Sequence, residues 1–213
     1  MSKQISSYDL VTSTLCWLVL DASTSMAGKR AAQLNEGLAH LKQAILAHPV
    51  LATKLQLGII SFGDESKILC PLSPLSGLDL PKIEPHGGTR MVAGLTTALD
   101  ALPQQAAQEA PWIILITDGV PNYDEDVQSL ISRLEDLYAQ QALKLIAVGV
   151  NGADHKVLKQ LTHHHAPPYR LQDLRFDRLF DWLVEIWEQP HQYPDRLPEA
   201  LGWSDPEINQ NCR

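Results

Sequence analysis

Apolar residues fall along this chain in two alternating rhythms. Runs that are apolar at nearly every position, Thr14 to Leu20 and Trp112 to Ile116, have the pattern of strands buried on both faces. Between them apolar residues recur at helical spacing: Leu34, Leu38, Leu41, Ile45 and Leu46 mark a helix from Arg30 to about His48, ended by Pro49. Leu55 to Phe62 and Lys67 to Cys70 flank the polar turn Gly63-Asp64-Glu65-Ser66 and predict a hairpin. Pro71 to Gly88, rich in Pro, Ser and Gly, reads as a long connection. Helices are expected at about Met91 to Leu102 and Glu125 to Gln141, and a strand at Leu143 to Val148. A short helix from about His155 to Leu161, a short strand near Pro168 to Leu171 and a helix from Phe176 to Trp187 complete the pattern.

Strands that alternate with helices predict an α/β, Rossmann-like fold: a mostly parallel sheet, one antiparallel edge strand and helices on both faces. This domain is expected over residues 1–188. In 189–213 Pro190, Pro194, Pro198, Gly202 and Pro206 break every period, which predicts a tail lying on the domain or on a partner.

Composition narrows the partners. The 213 residues carry 17 Lys+Arg against 25 Asp+Glu, a formal charge of −8, with no basic stripe interleaved with aromatics, so nucleic acid is not an expected partner. No run of 18 or more apolar residues exists to cross a membrane. The opening residues hold Asp9 and no signal-peptide core, and Cys16, Cys70 and Cys212 are odd in number and widely spaced. A reducing cytoplasm is the expected compartment.

In an open α/β sheet, ligands bind beyond the carboxyl ends of the strands. After the first strand stands Asp21-Ala22-Ser23-Thr24-Ser25, whose alternate side chains can converge on one point. After the Trp112 strand stands Asp118, with Gly119 to turn the chain away, and Gly87-Gly88-Thr89 adds a hydroxyl on a loop able to approach closely. Two carboxylates and three hydroxyls are hard oxygen donors that suit Mg²⁺ or Mn²⁺ rather than zinc or copper. So few charged groups leave an open position on the ion, which attracts a carboxylate. Asp118 is expected to face water, so that its removal costs metal binding and not the fold.

Asp21-x-Ser23-x-Ser25, then Gly88-Thr89, then Thr117-Asp118-Gly119 resembles the metal-ion-dependent adhesion site of von Willebrand factor A domains. The resemblance runs from about Leu15 to Trp187. Asp21 to Met26, Leu57 to Phe62 and Leu115 to Pro121 are most similar to small stand-alone bacterial forms of the tellurite-resistance type. The resemblance implies that Ser23, Ser25 and Thr89 bind the ion directly or through water, that Asp21 and Asp118 act largely through waters, and that a partner's Asp or Glu completes the shell. It also implies a bacterial stress or phosphorylation-linked setting, with a kinase or phosphatase as neighbour. Arg90, directly after Thr89, is unusual: a cation there weakens metal binding or helps to hold the incoming carboxylate.

Competing readings are weaker. An Asp21 nucleophile of the haloacid-dehalogenase type needs a second carboxylate two residues on, where Ser23 stands. Gly28-Lys29 hints at a phosphate loop, but Arg30 occupies the place of the magnesium-binding Ser or Thr. His163-His164-His165 point in different directions and lack a neighbouring ligand, and Asp124, Glu125 and Asp126 suit a helix start. Cys16, Trp182 and Trp187 read as core. No general acid, base or activated nucleophile is spaced to serve Asp21, so the expected function is binding and not catalysis. The alternatives are a metal-dependent phosphoesterase or a metal-free scaffold.

Overall fold

The structure is a computed structural model that describes residues 13–75, 79–102, 109–122, 124–162 and 166–189, together with the backbone of 201–203. Its seven strands are β1 (Thr14–Asp21), β2 (Leu55–Phe62), β3 (Ser66–Pro74), β4 (Trp112–Thr117), β5 (Lys144–Gly149), β6 (Tyr169–Leu171) and β7 (Leu201–Trp203). The helices are α1 (Lys29–Leu46), α2 (Pro49–Lys54), α3 (Met91–Asp100), α4 (Val127–Ala139), α5 (His155–Thr162) and α6 (Phe176–Glu188). The sheet order is β3-β2-β1-β4-β5-β6-β7. Neighbours are parallel except at the two edges, where β3 runs against β2 and β7 against β6.

Each central strand is apolar throughout because both of its faces are covered. Cys16, Leu18 and Leu20 face a core that includes Leu34, Leu38 and Leu41 of α1 and Phe176, Phe180 and Leu183 of α6. Trp17 and Val19 face the other core, with Met91 and Leu95 of α3 and Leu130 and Leu134 of α4. Trp17 lies beside Gly58 in the β1–β2 register, and a Cβ on Gly58 would fall 2.3 Å from its ring. The glycine is the space into which the indole packs.

Three local departures from the sequence pattern have physical causes. Pro49 does end α1, but it also opens α2 from its first turn, where its missing N–H and fixed φ cost nothing. Strand β3 continues through Pro71 to Pro74, well into the expected connection, because an edge strand tolerates prolines that a central one cannot. Part of the tail joins the sheet: β7 covers the edge of β6 as a second antiparallel strand, using backbone groups that the prolines elsewhere in 189–213 do not supply. His163, His164, His165 and Cys212 lie outside the described residues, whereas Cys16 and Cys70 are buried free thiols. Among the described residues no helix is long and apolar enough to cross a membrane.

Candidate functional site

From β1 the chain crosses back to β2 on one side, whereas β4 leads to β5 on the other. The carboxyl ends of β1 and β4 therefore flank a topological switch point, where open α/β sheets present a crevice. Asp21 is the last residue of β1, and Asp118 follows the last residue of β4.

Asp21 is fully buried, and both carboxylate oxygens have donors: the Ser23 amide to Oδ1 at 2.8 Å and Thr117 Oγ1 to Oδ2 at 2.5 Å. Burial pushes the Asp21 carboxyl above its ordinary value, against the hydrogen bonds from Ser23 and Thr117, and the nearby charge of Asp118 adds to the push. Asp118 accepts from Ser25 Oγ at Oδ1 and from Arg30 Nη1 at Oδ2, both at 2.6 Å. Its side chain is 1% exposed, which corrects the expectation that it faces water.

Ser23 Oγ and Ser25 Oγ are 2.8 Å apart. Ser25 gives its proton to Asp118, so in this contact Ser23 is the donor. The Thr89 loop is laid against the first loop by backbone bonds: His86 N–H to Ala22 O at 2.7 Å and Thr24 N–H to Gly87 O at 3.0 Å. Gly87 has φ +72°, and a Cβ there would fall 2.1 Å from the Asp64 carboxylate, which in turn accepts from the Gly88 amide at 2.7 Å. Thr89 is fixed by a reciprocal pair with Asn122: its amide donates to Asn122 Oδ1 at 3.1 Å, and the Asn122 amide donates to Thr89 O at 3.0 Å. Thr89 Oγ1 and Asp21 Oδ2 both approach Gly119, at 3.2 and 3.7 Å from where its Cβ would stand.

The structure thus brings Asp21, Ser23, Ser25, Thr89 and Asp118 to one end of the sheet. Ser25, Thr89, Asp118, Val120, Asn122 and Asp124 line an open depression of about 590 Å³ there. A larger one, about 710 Å³, lies beside Tyr138, Leu143 and Lys144 and has no carboxylate among its described lining residues. The smaller depression has the convergent polar groups that a binding site requires. Arg90 stands at its rim, with Nη2 on Asp124 Oδ2 at 2.9 Å. The acidic run after β4 divides its work: Asp126 caps α4 through Ser129, Glu125 caps α3 through the amides of Val92 and Ala93, and Asp124 holds Arg90.

Two contributors have roles that only the fold reveals. Thr117 is an inner hydroxyl whose role appears only once β1 and β4 are paired. Arg30, which the sequence offered only as the residue that spoils a phosphate loop, reaches Asp118 across 88 residues of chain.

The donor set can be tested against a hard divalent cation. Magnesium demands octahedral oxygen ligands at 2.0–2.1 Å, so neighbouring ligand oxygens lie about 2.9 Å apart. The Ser23–Ser25 separation of 2.8 Å matches such an edge. Both hydroxyl oxygens can offer lone pairs if Ser25 keeps its proton on Asp118 and Ser23 turns its own toward Asp21. Among the described residues no three His, Cys, Asp or Glu side chains converge, so the hydroxyls are indispensable to any ion here. The residues fit a magnesium-type ion.

Residues 16–120 match the family model for the von Willebrand factor type A domain. No curated protein matches the chain. Among solved structures, the pilus adhesin SpaC of Lactobacillus rhamnosus GG in its open conformation superposes with TM-score 0.68 at 14% identity, over 83% of this chain and 30% of that one. The D319A mutant of the PilB minor pilin from Streptococcus sanguinis gives 0.62 at 14%, over 85% and 62%. The ArnB paralog VWA2 from Sulfolobus acidocaldarius gives 0.57 at 18%, over 82% and 45%. At such identities the likeness is one of fold, and this chain spans less than two thirds of each of these three proteins.

Proposed function

Starting from a chain that carries a von Willebrand factor type A domain, we propose that it is a divalent-metal-dependent protein-interaction module. Ser23, Ser25 and Thr89 hold Mg²⁺ or Mn²⁺, with Asp21 and Asp118 behind them. The observation that carries this reading is the pair of serine hydroxyls one octahedral edge apart at the switch point of the sheet, with the Ser25 hydroxyl on buried Asp118 and the Ser23 amide on buried Asp21. When bound, the ion supplies an incompletely neutralised charge open to an acidic side chain of a partner. The chain's own residues orient the hydroxyl lone pairs, keep water from Asp21 and hold the Thr89 loop in place. By resemblance, the partner belongs to a bacterial phosphorylation-linked stress system of the tellurite-resistance kind and is a kinase or phosphatase in the cytoplasm.

Binding is favoured over phosphoester chemistry because both Asp21 oxygens accept hydrogen bonds, which leaves a poor nucleophile. Calorimetric titration with Mg²⁺ and Mn²⁺ tests the reading, with Ser25→Ala and Thr89→Ala expected to weaken binding at least tenfold. Absence of binding to the wild type, or unchanged binding in both variants, rejects it. A metal-free scaffold is the second reading, favoured by the cation that Arg30 already places on Asp118.

A further inference from the structure

We propose that Arg30 is a tethered counter-ion which competes with the divalent cation and sets the affinity of this site. The inference rests on the reading that an ion binds at Ser23, Ser25 and Thr89.

Arg30 is the second residue of α1, next to Lys29, and the first turn of that helix carries no acidic residue. Two cations at a helix N-terminus oppose the helix dipole, so local structure does not explain this placement. Tertiary contacts do. Nη1 donates to Asp118 Oδ2 and to the Ser25 carbonyl, each at 2.6 Å, and Nη2 donates to the Asn151 carbonyl at 3.0 Å. One guanidinium thereby ties together the loops that follow β1, β4 and β5. The Asp118 end of the pair is buried, whereas the arginine side chain is 33% exposed and has a path into water.

The charge balance gives the pairing its consequence. Asp21 and Asp118 contribute two negative charges, and Arg30 returns one positive charge, leaving half the attraction a divalent cation would otherwise meet. An Asp118 oxygen that accepts from Arg30 also has one lone pair fewer to offer elsewhere. Cation binding and the Arg30–Asp118 bond are therefore linked with opposite sign: whatever strengthens one weakens the other. Without the ion, Arg30 offsets the repulsion between the two buried carboxylates. The site holds its own shape without metal, at the cost of affinity for it.

The test is Mn²⁺ titration by calorimetry of the full chain as wild type, Arg30→Met, Arg30→Lys and Ser25→Ala, with thermal melts in chelator and in Mn²⁺. Arg30→Met should bind Mn²⁺ at least tenfold tighter, about 1.4 kcal/mol. It should also melt lower than wild type in chelator and show the larger rise on adding Mn²⁺. Arg30→Lys, which cannot span all three acceptors, should shift affinity in the same direction by less, and it serves as the folded variant if the methionine form is unstable. Binding by Arg30→Met and not by wild type supports the counter-ion role and rejects metal binding by the native chain. Equal or weaker Mn²⁺ binding in a folded Arg30 variant overturns it, and leaves the metal reading intact if wild type binds and Ser25→Ala does not. No binding by any of the four proteins overturns both.

Discussion

Replacing Asp118 by alanine removes the acceptor on which Ser25 and Arg30 converge. Each lost hydrogen bond to an ionised group is worth about 1.5–3 kcal/mol. Two effects offset that loss: Arg30, 33% exposed, recovers hydration and keeps its carbonyl partners, and Asp21 is freed from a neighbouring like charge. A net destabilisation of about 2 kcal/mol follows, well above the ~0.5 kcal/mol of an ordinary surface change. For a chain of this size that is a fall in Tm of about 4–8 °C in chelator. Asp118→Asn, which keeps the shape and one acceptor, should fall between alanine and wild type. The assay is differential scanning fluorimetry in EDTA and in excess Mg²⁺, with urea unfolding to convert Tm into free energy. Wild type should gain stability from Mg²⁺, and Asp118→Ala should not. An alanine variant that melts within 1 °C of wild type in EDTA would refute the anchoring role, and one that still gains stability from Mg²⁺ would refute the metal role.

Asp21 gives a prediction with a pH sign. Its folded carboxyl titrates above the ordinary value because it is buried, so between the unfolded value of about 4 and the raised folded value the native state retains a proton that the unfolded chain has released; stability falls as pH rises through that window and is level above it, where the carboxyl is ionised. In EDTA, Asp21→Asn should remove that fall and be more stable than wild type at neutral pH, while losing stabilisation by Mg²⁺; urea midpoints across the pH series will tell, and a parallel pair of curves contradicts the argument. Gly58→Ala drives a methyl into the Trp17 ring and should cost about 1–3 kcal/mol in chemical denaturation, with no effect if the indole can simply move aside. Arg90→Ala breaks an exposed pair with Asp124 and should change stability by less than about 0.5 kcal/mol and leave Mg²⁺ affinity unchanged. If Arg90 also holds the partner's carboxylate, pull-down at saturating Mg²⁺ will show a loss of about tenfold in partner affinity, and an unchanged affinity removes it from the interface.

The elements and the candidate site residues were written locally. Strands β1 and β4 are legible because burial on both faces demands an unbroken apolar run, and α1, α4 and α6 because a helix packed on a sheet repeats its apolar positions every third or fourth residue. Asp21, Ser23, Ser25 and Asp118 stand out because they follow strand ends, Thr89 because it follows Gly87-Gly88, and all five because they share one kind of hard donor. Backbone pairing at the sheet edges was less legible: β7 has three residues inside a proline-rich tail, and only the open edge of β6 makes it a strand. Charge placement was not legible at all. Asp118 looked solvent-facing and Arg30 looked like a misplaced phosphate-loop residue, because neither the burial of one nor the reach of the other has any periodicity to betray it. Their contact joins positions 88 residues apart, and it exists only because parallel β1 and β4 carry their following loops to the same end of the sheet. A pattern along the chain reports which face a residue turns to the core, whereas the partner of a polar side chain is decided by which other loops the fold delivers to the same few ångströms.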